Sequence, residues 1–402
     1  MDVELRTLER AALAGGARER LAWARGLERA GRRDEAVAAL VPVRDDPDVR
    51  AHLDALAAWR RIAADAAGSS FLDARPVARE PVVRWTTEVP VERPCLLASP
   101  LAVVATDDHG CLVAMDPATG APRNLPQHRC FLPTLELGLA TLVFQDRNGH
   151  ERALDVVTGK SRDLANVARA RAHTSMRDRD FVVRLLDARA VEAHIAEPQG
   201  TLGSRLWRYP PKGELAEILV SGGGVAITPT RVLVRTENEL IVLDRATGAL
   251  VFRGEGDFVV ADALGLVGQR RRSVFAYDWS GRLLWSKGQR SSAVPRALAP
   301  RRVLVAGGGA SLVLERDGGS AIHETAIPGW PLGVVRDVVY LRSPSRLEAR
   351  TLEGEKLWSL PVAGSIEAFA ALDARIFVAV ATPTTRRRSV LCLEEPGTRG
   401  GG

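Results

Sequence analysis

The chain has 402 residues, with 55 Lys or Arg against 49 Asp or Glu, for a formal net charge of +6. Lysine occurs only at Lys160, Lys212, Lys287 and Lys356, so arginine carries nearly all the positive charge and its abundance alone singles out no surface. Four separated cysteines (Cys95, Cys111, Cys130, Cys392) with no C-x-x-C pair exclude a zinc ribbon or a disulfide scaffold, and no run of about 18 apolar residues offers a membrane span.

Residues 1–68 read as helix. Leu5, Leu8 and Ala12 mark one apolar face, Leu21, Ala24 and Leu27 the next, and Gly31 a C-terminal stop. Further helices are expected from Asp34 and over 48–66, with Asp45, Asp46 and Asp48 as first-turn carboxylates favoured by the helix dipole. The start of the chain has no basic segment followed by an apolar one, so a cytoplasmic location with reduced thiols is expected. Within this region Ala17–Val43 resembles a tetratricopeptide repeat, with Ala24, Gly31, Glu35, Ala36 and Leu40 where that family's helices meet. One such α-helical hairpin buries its apolar face only against a neighbour, so it must pack on the rest of the chain or on another protein. Its acidic and basic residues balance, which leaves the whole +6 to the remainder.

Residues 69–80 read as a linker and 396–402 as a disordered glycine-rich tail. Between them one phrase recurs: an apolar strand, an acidic or polar residue, a Gly turn, then another strand. It appears as LVAMDPATGAPRNL from Leu112, RALDVVTGKSRDL from Arg152, LIVLDRATGALVF from Leu240, VFAYDWSGRLLW from Val274 and LEARTLEGEKLW from Leu347. A worn copy, LVLERDGGSAIHE, starts at Leu312. In D-x-x-T-G the Asp accepts from nearby backbone amides and the Gly takes the left-handed position, so the phrase is a hairpin signal. Repetition about every 37 to 38 residues is the mark of propeller blades. The expected fold is all-β: an eight-bladed β-propeller over 81–395, with seven blades as the alternative count. Blades should begin near residues 94, 128, 170, 215, 257, 293, 329 and 365, the third being degenerate. The last blade is one strand short, and VVRWTTE (82–88) matches the post-turn strands 283–288 and 356–362. An N-terminal strand should therefore close the ring.

The A-x-D-x-x-T-G-x-x-x-W type of phrase resembles the pyrroloquinoline-quinone-like propeller repeat, with Trp85, Trp207, Trp285 and Trp358 at its Trp position and Asn124, Asp163 or Phe252 near it elsewhere. That repeat occurs in quinoprotein dehydrogenases and in outer-membrane assembly lipoproteins. The resemblance implies the fold more than an activity. The adjacent-cysteine pair, haem motif and lipobox cysteine of those relatives have no counterpart, nor do their metal ligands. No cofactor, no metal and no quinone-dependent turnover are expected.

Other chemical signals reduce to turns. Thr158-Gly159-Lys160-Ser161 ends like a P-loop, but the earlier glycine position is Leu154. Asp107-Asp108-His109 with Cys111, and His128 with Cys130, hold metal-capable atoms without three or four ligands at a recognised spacing, and Asp107–Gly110 reads as a solvated hairpin turn. The arginine clusters are the one group that gathers. Loops joining second and third strands open on one face of the disc, and blades five, seven and eight place Arg270, Arg271, Arg272, Arg342, Arg346, Arg386, Arg387 and Arg388 there. These loops lack interleaved aromatics, which sets them against nucleic acid. The expected role is a non-catalytic scaffold whose loop surfaces meet a protein partner with an acidic surface. The alternatives are a quinone-type enzyme or small-ligand binder using the channel, and a nucleic-acid-associated protein using the basic loops.

Overall fold

In a computed structural model of the chain, the described residues are 7–8, 11–12, 14–29 and single positions from 36 to 52, then 71–72, 75–92, 94–107, 111–125, 130–138, 140–146, 151–164, 172–178, 181–186, 190–196, 202–210, 225–228, 230–235, 239–254, 258–261, 264–270, 272–288, 294–299, 302–307, 310–320, 327–372, 374–382 and 388–396. They form eight separate sheets, each with four antiparallel strands running outward from the centre. The innermost strands begin at Cys95, Cys130, Ala172, Val225, Phe258, Val294, Trp330 and Ser365. We number the blades 1 to 8 in that order. Seven starts fall within two residues of the repeat reading. The fourth falls at Val225 rather than near 215, where the chain lies outside the described residues.

Strand Val82–Val89 is the outer strand of blade 8, pairing antiparallel with the chain's last strand, Arg388–Glu394. The ring is thus closed by both ends of the chain, which removes the edge that an unpaired last strand would leave. The stretch expected as a linker does more than link. Phe71–Leu72 adds a short parallel strand to the inner edge of blade 7, opposite Val334 and Val335.

The core lies between blades. Period-two alternation sends one side of every strand to each neighbour, and apolar clusters span seams 8/1, 1/2, 3/4, 4/5, 5/6, 6/7 and 7/8. Seam 2/3 differs. Blade 2 offers it Val143, Ala153 and Leu164. In blade 3, Val183, Leu185, Val191 and Ala193 face blade 4. The alternating Arg184, Glu192 and His194 therefore face blade 2, and all three are buried. Glu192 accepts from Arg205 at 3.1 Å and Arg208 at 3.4 Å, and its other oxygen lies 3.3 Å from His194 Nε2. Such a buried charge cluster depends on keeping all its partners.

The helix expected around Leu21–Leu27 spans Ala17–Arg29. Its Ala24 and Leu27 pack with Ala36, Leu40 and Val49 against Leu101 of blade 1 and, at the margin, Ala140 of blade 2. Asp46 Oδ1 accepts from the amides of Asp48 and Val49 at 3.0 and 3.2 Å, as an N-cap does. The helical segment therefore packs on the propeller itself. Most of the helix expected over 48–66 lies outside the described residues, as does the tail. Among the described residues no helix is long and apolar enough to cross a membrane.

Candidate interaction face

Strand order fixes what each face of the disc displays. Turns joining first to second and third to fourth strands share one face, here the Asp–Gly face. Loops joining second to third strands lie on the other, the arginine face.

The Asp–Gly face is self-complementary. Asp116 Oδ1 accepts from the amides of Ala118 and Thr119, and Asp244 Oδ1 repeats this with Ala246 and Thr247. Burial would raise both carboxyls. The amides and hydroxyl of their turns, together with Arg123 for Asp116 and Arg231 for Asp244, outweigh it and hold both below the ordinary 3.8. Each turn then serves the preceding blade. The carbonyl after the turn acid, Asp116, Asp244 or Glu315, accepts an indole N–H across the seam: Trp85 to Pro117 at 3.1 Å, Trp207 to Arg245 at 2.7 Å, Trp285 to Arg316 at 2.7 Å. The turn glycine lies beneath the same indole. Gly248 has φ of 71°, and a Cβ there would sit 2.6 Å from the Trp207 ring, so only glycine fits. At seam 1/2 the donor is Arg123, reaching the Val156 carbonyl at 3.3 Å. At seam 4/5 Phe252 packs on Gly281 without a donor.

Blade 8 has no such turn, because its third and fourth strands come from opposite ends of the chain. The turn is rebuilt from two pieces. Glu395 Oε1 accepts from the amides of Ala78 and Arg79 at 2.6 and 2.9 Å, in the role of the turn Asp. The Val77 carbonyl accepts the Trp358 indole at 2.9 Å, in the role of the residue after it. The Tyr340 hydroxyl accepts from the Val77 amide at 2.7 Å, and desolvation raises its pKa. This clasp was missed in the sequence, since residues 75–81 carry no copy of the phrase.

The arginine face has no matching occupant among the described residues. Arg272 sits in the turn closed by the Arg270–Ser273 pair and is exposed; Arg270 beside it is half-buried. Arg342 and Arg346 flank the turn closed by the Ser343–Arg346 pair, and both are exposed. Arg342 donates across seam 7/8 to the Ile366 carbonyl at 2.8 Å, and Arg346 reaches Ser359 Oγ at 3.4 Å. Arg388 is half-buried and held by Glu367 through two bonds of 3.2 and 3.4 Å. Arg271, Arg386 and Arg387 lie outside the described residues. Asp107 is 2% exposed rather than solvated. It accepts from the amides of Glu92 and Cys111, at 2.9 and 3.0 Å, and so fastens the blade 1 loop.

The described residues do not fit a quinone with its metal. No three His, Cys, Asp or Glu among them come together to hold an ion. An acid on an inner strand, Glu367, is already paired with Arg388. Cys95, Cys111 and Cys392 form no disulfide with one another, and desolvation pushes the buried Cys392 thiol up to about 12.

Comparison with known proteins agrees with this architecture. The profile of the PQQ_2 family, described as outer membrane protein assembly factor BamB, matches residues 189–395, about half of the chain. No curated protein matches. Among solved structures, BamB from Moraxella catarrhalis superposes with TM-score 0.51 at 12% identity, over 80% of this chain and 99% of its own. The computationally designed Ika8 protein gives 0.57 at 15% identity, over 80% and 99%. A quinohemoprotein alcohol dehydrogenase from Pseudomonas putida HK5 gives 0.53 at 13% identity, over 81% and 77%. At these identities the likeness is one of fold.

Proposed function

The chain belongs to the family described as outer membrane protein assembly factor BamB, and from that premise we propose that it is a non-catalytic scaffold. Its arginine face docks a protein partner that presents an acidic surface. One observation carries the reading: the chain's own N-terminal segment packs on the Asp–Gly face at blades 1 and 2 and at seam 7/8, while Arg272, Arg342 and Arg346 stand exposed on the opposite face. Guanidinium forks pair bidentately with carboxylates and tolerate partial desolvation, which suits a protein counterpart. Their fields on one face also add, which speeds encounter. The quinone-enzyme reading would need metal ligands that do not come together among the described residues. A cytoplasmic location is part of this reading, and cell fractionation tests it separately.

Affinity capture from the native host tests the role. The wild type should recover a partner that the double reversal Arg272→Glu, Arg346→Glu loses, while Arg18→Glu on the packed helix retains it. Equal recovery by all three proteins would refute docking through this face.

A further inference from the structure

We infer that the arginine-face end of seam 7/8 is an anchor site for an extended acidic segment of the partner that carries one aromatic or leucine side chain. The inference rests on the docking reading above and specifies what the partner brings. Trp330 opens the inner strand of blade 7 and is 44% exposed, whereas Trp85, Trp207, Trp285 and Trp358 are all 9% or less. The four buried indoles hold seams. Trp330 holds none, and an exposed indole on an otherwise polar face is the kind of residue that dominates interfaces.

Register supplies its surroundings. Trp330 lies opposite Arg342, and Arg342 opposite Leu347, which in turn faces Leu360. Directly opposed residues share a side of the sheet, so these four form one row at the arginine-face end of blade 7. Arg342 and Tyr340 alternate onto the same side, and Tyr340 packs in the cluster shared with blade 8. The bond from Arg342 to the Ile366 carbonyl confirms that the row faces blade 8. A guanidinium carries five N–H donors; that bond uses one and holds the Arg342 fork at the seam, on the residue opposite Trp330 in the register. Across the seam Glu367 clamps Arg388 in place.

The row is also stiff. Gly329, just before the Trp, has φ of 110°, and a Cβ there would meet the Arg342 carbonyl at 3.1 Å. The inner strand is thereby drawn close to its neighbour, and a preset geometry lowers the ordering cost of binding. An exposed indole opposite a held arginine, with Arg346 across the same turn, matches an apolar side chain flanked by carboxylates. It does not match a nucleic-acid strand, which stacks successive bases on several aromatics.

The test uses the full chain and a fluorescein-labelled nonapeptide of glutamates with a central phenylalanine. Its counterpart has alanine at the centre, and a labelled oligothymidylate serves as third probe. By fluorescence anisotropy the phenylalanine peptide should bind about tenfold tighter than the alanine peptide, the scale expected for burying one aromatic side chain. Trp330→Ala, and independently Trp330→Gln, should abolish that preference and leave the alanine peptide's affinity unchanged. Arg342→Gln should weaken both peptides. Equal binding of the two peptides by the wild type, or a preference that survives at Trp330→Ala, would overturn the anchor while leaving the acidic-partner reading standing. Binding of neither peptide would do the same if host-partner capture still depended on Arg272 and Arg346. Capture insensitive to those arginines would instead sink the docking reading. Tighter, Trp330-dependent binding of the oligonucleotide would overturn the inference in favour of nucleic acid.

Discussion

The two faces of the disc are built from equally polar sequence, Asp–Gly turns on one and Arg-rich hairpins on the other, yet they are used differently. On the Asp–Gly face the turn carboxylates and carbonyls are engaged by the chain itself. Carboxylates cap turns, carbonyls receive indoles, and the N-terminal segment lies across the rim to complete blade 8. On the arginine face the guanidiniums of Arg272 and Arg346 project outward, and an indole is left half uncovered. Stability is thus concentrated on one face and recognition on the other, so the two should separate under mutation.

Truncation should give the largest effect. Removing residues 1–90 deletes both the closing strand and the clasp, bares the edge of Arg388–Glu394 and should yield aggregate. Removing 1–68 should leave a soluble protein with a cooperative melt. Similar solubility and melting for the two truncations would contradict closure by Val82–Val89.

The sharpest contrast lies within blade 7. Trp358 is 3% exposed and bonded to Val77; Trp330 is 44% exposed. Trp358→Ala should cost about 3–5 kcal/mol in denaturant unfolding, the range for a buried aromatic. Trp330→Ala should cost less than about 1 kcal/mol. Comparable losses would mean that the arginine face bears stability as well.

Smaller effects should follow from the turn carboxylates. Glu395→Ala removes the acceptor of two backbone amides and should cost about 1–3 kcal/mol by the usual worth of bonds to charged groups. Asp116 and Asp244 are held below 3.8 in the folded chain. A depressed carboxyl stabilises the fold above its unfolded pKa, and that contribution is lost as pH falls through the folded value. Stability should therefore decline as pH drops below about 4, and Asp244→Asn should flatten part of the decline. A melting temperature in wild type and variant alike that does not change between neutral pH and pH ~3 would argue against it.

Much of this was legible in the residues. D-x-x-T-G and the period located seven blade starts within two residues, and VVRWTTE revealed the closing strand because it copied strands already recognised. The clasp was not legible: Val77, Ala78 and Arg79 contribute backbone atoms, and backbone has no sequence signature. Trp330 was hidden for a related reason. WPLGVV reads as an apolar inner strand, and only strand direction shows that its first residue meets solvent. The charged side of blade 3 is written in the alternation of Arg184, Glu192 and His194 with apolar neighbours, but which side of the strand meets blade 2 is set by packing that spacing does not encode. Of the arginines read as loop residues, Arg272 lies in a turn, Arg270, Arg342, Arg346 and Arg388 lie at strand ends beside the expected loops, and Arg271, Arg386 and Arg387 lie outside the described residues. That Arg388 is clamped by Glu367, and so adds less to the outward field than Arg346, depends on a contact between the first and third strands of blade 8 that spacing does not encode.

The most direct test of the separation between faces is the association rate with the captured partner, measured by stopped flow across a salt series. Arg272→Glu with Arg346→Glu should slow association and flatten its salt dependence, while the melting temperature stays that of the wild type and Arg18→Glu changes neither. Association rates equal to wild type at low and moderate salt would contradict the account, as would a melting temperature lowered in step with the rate.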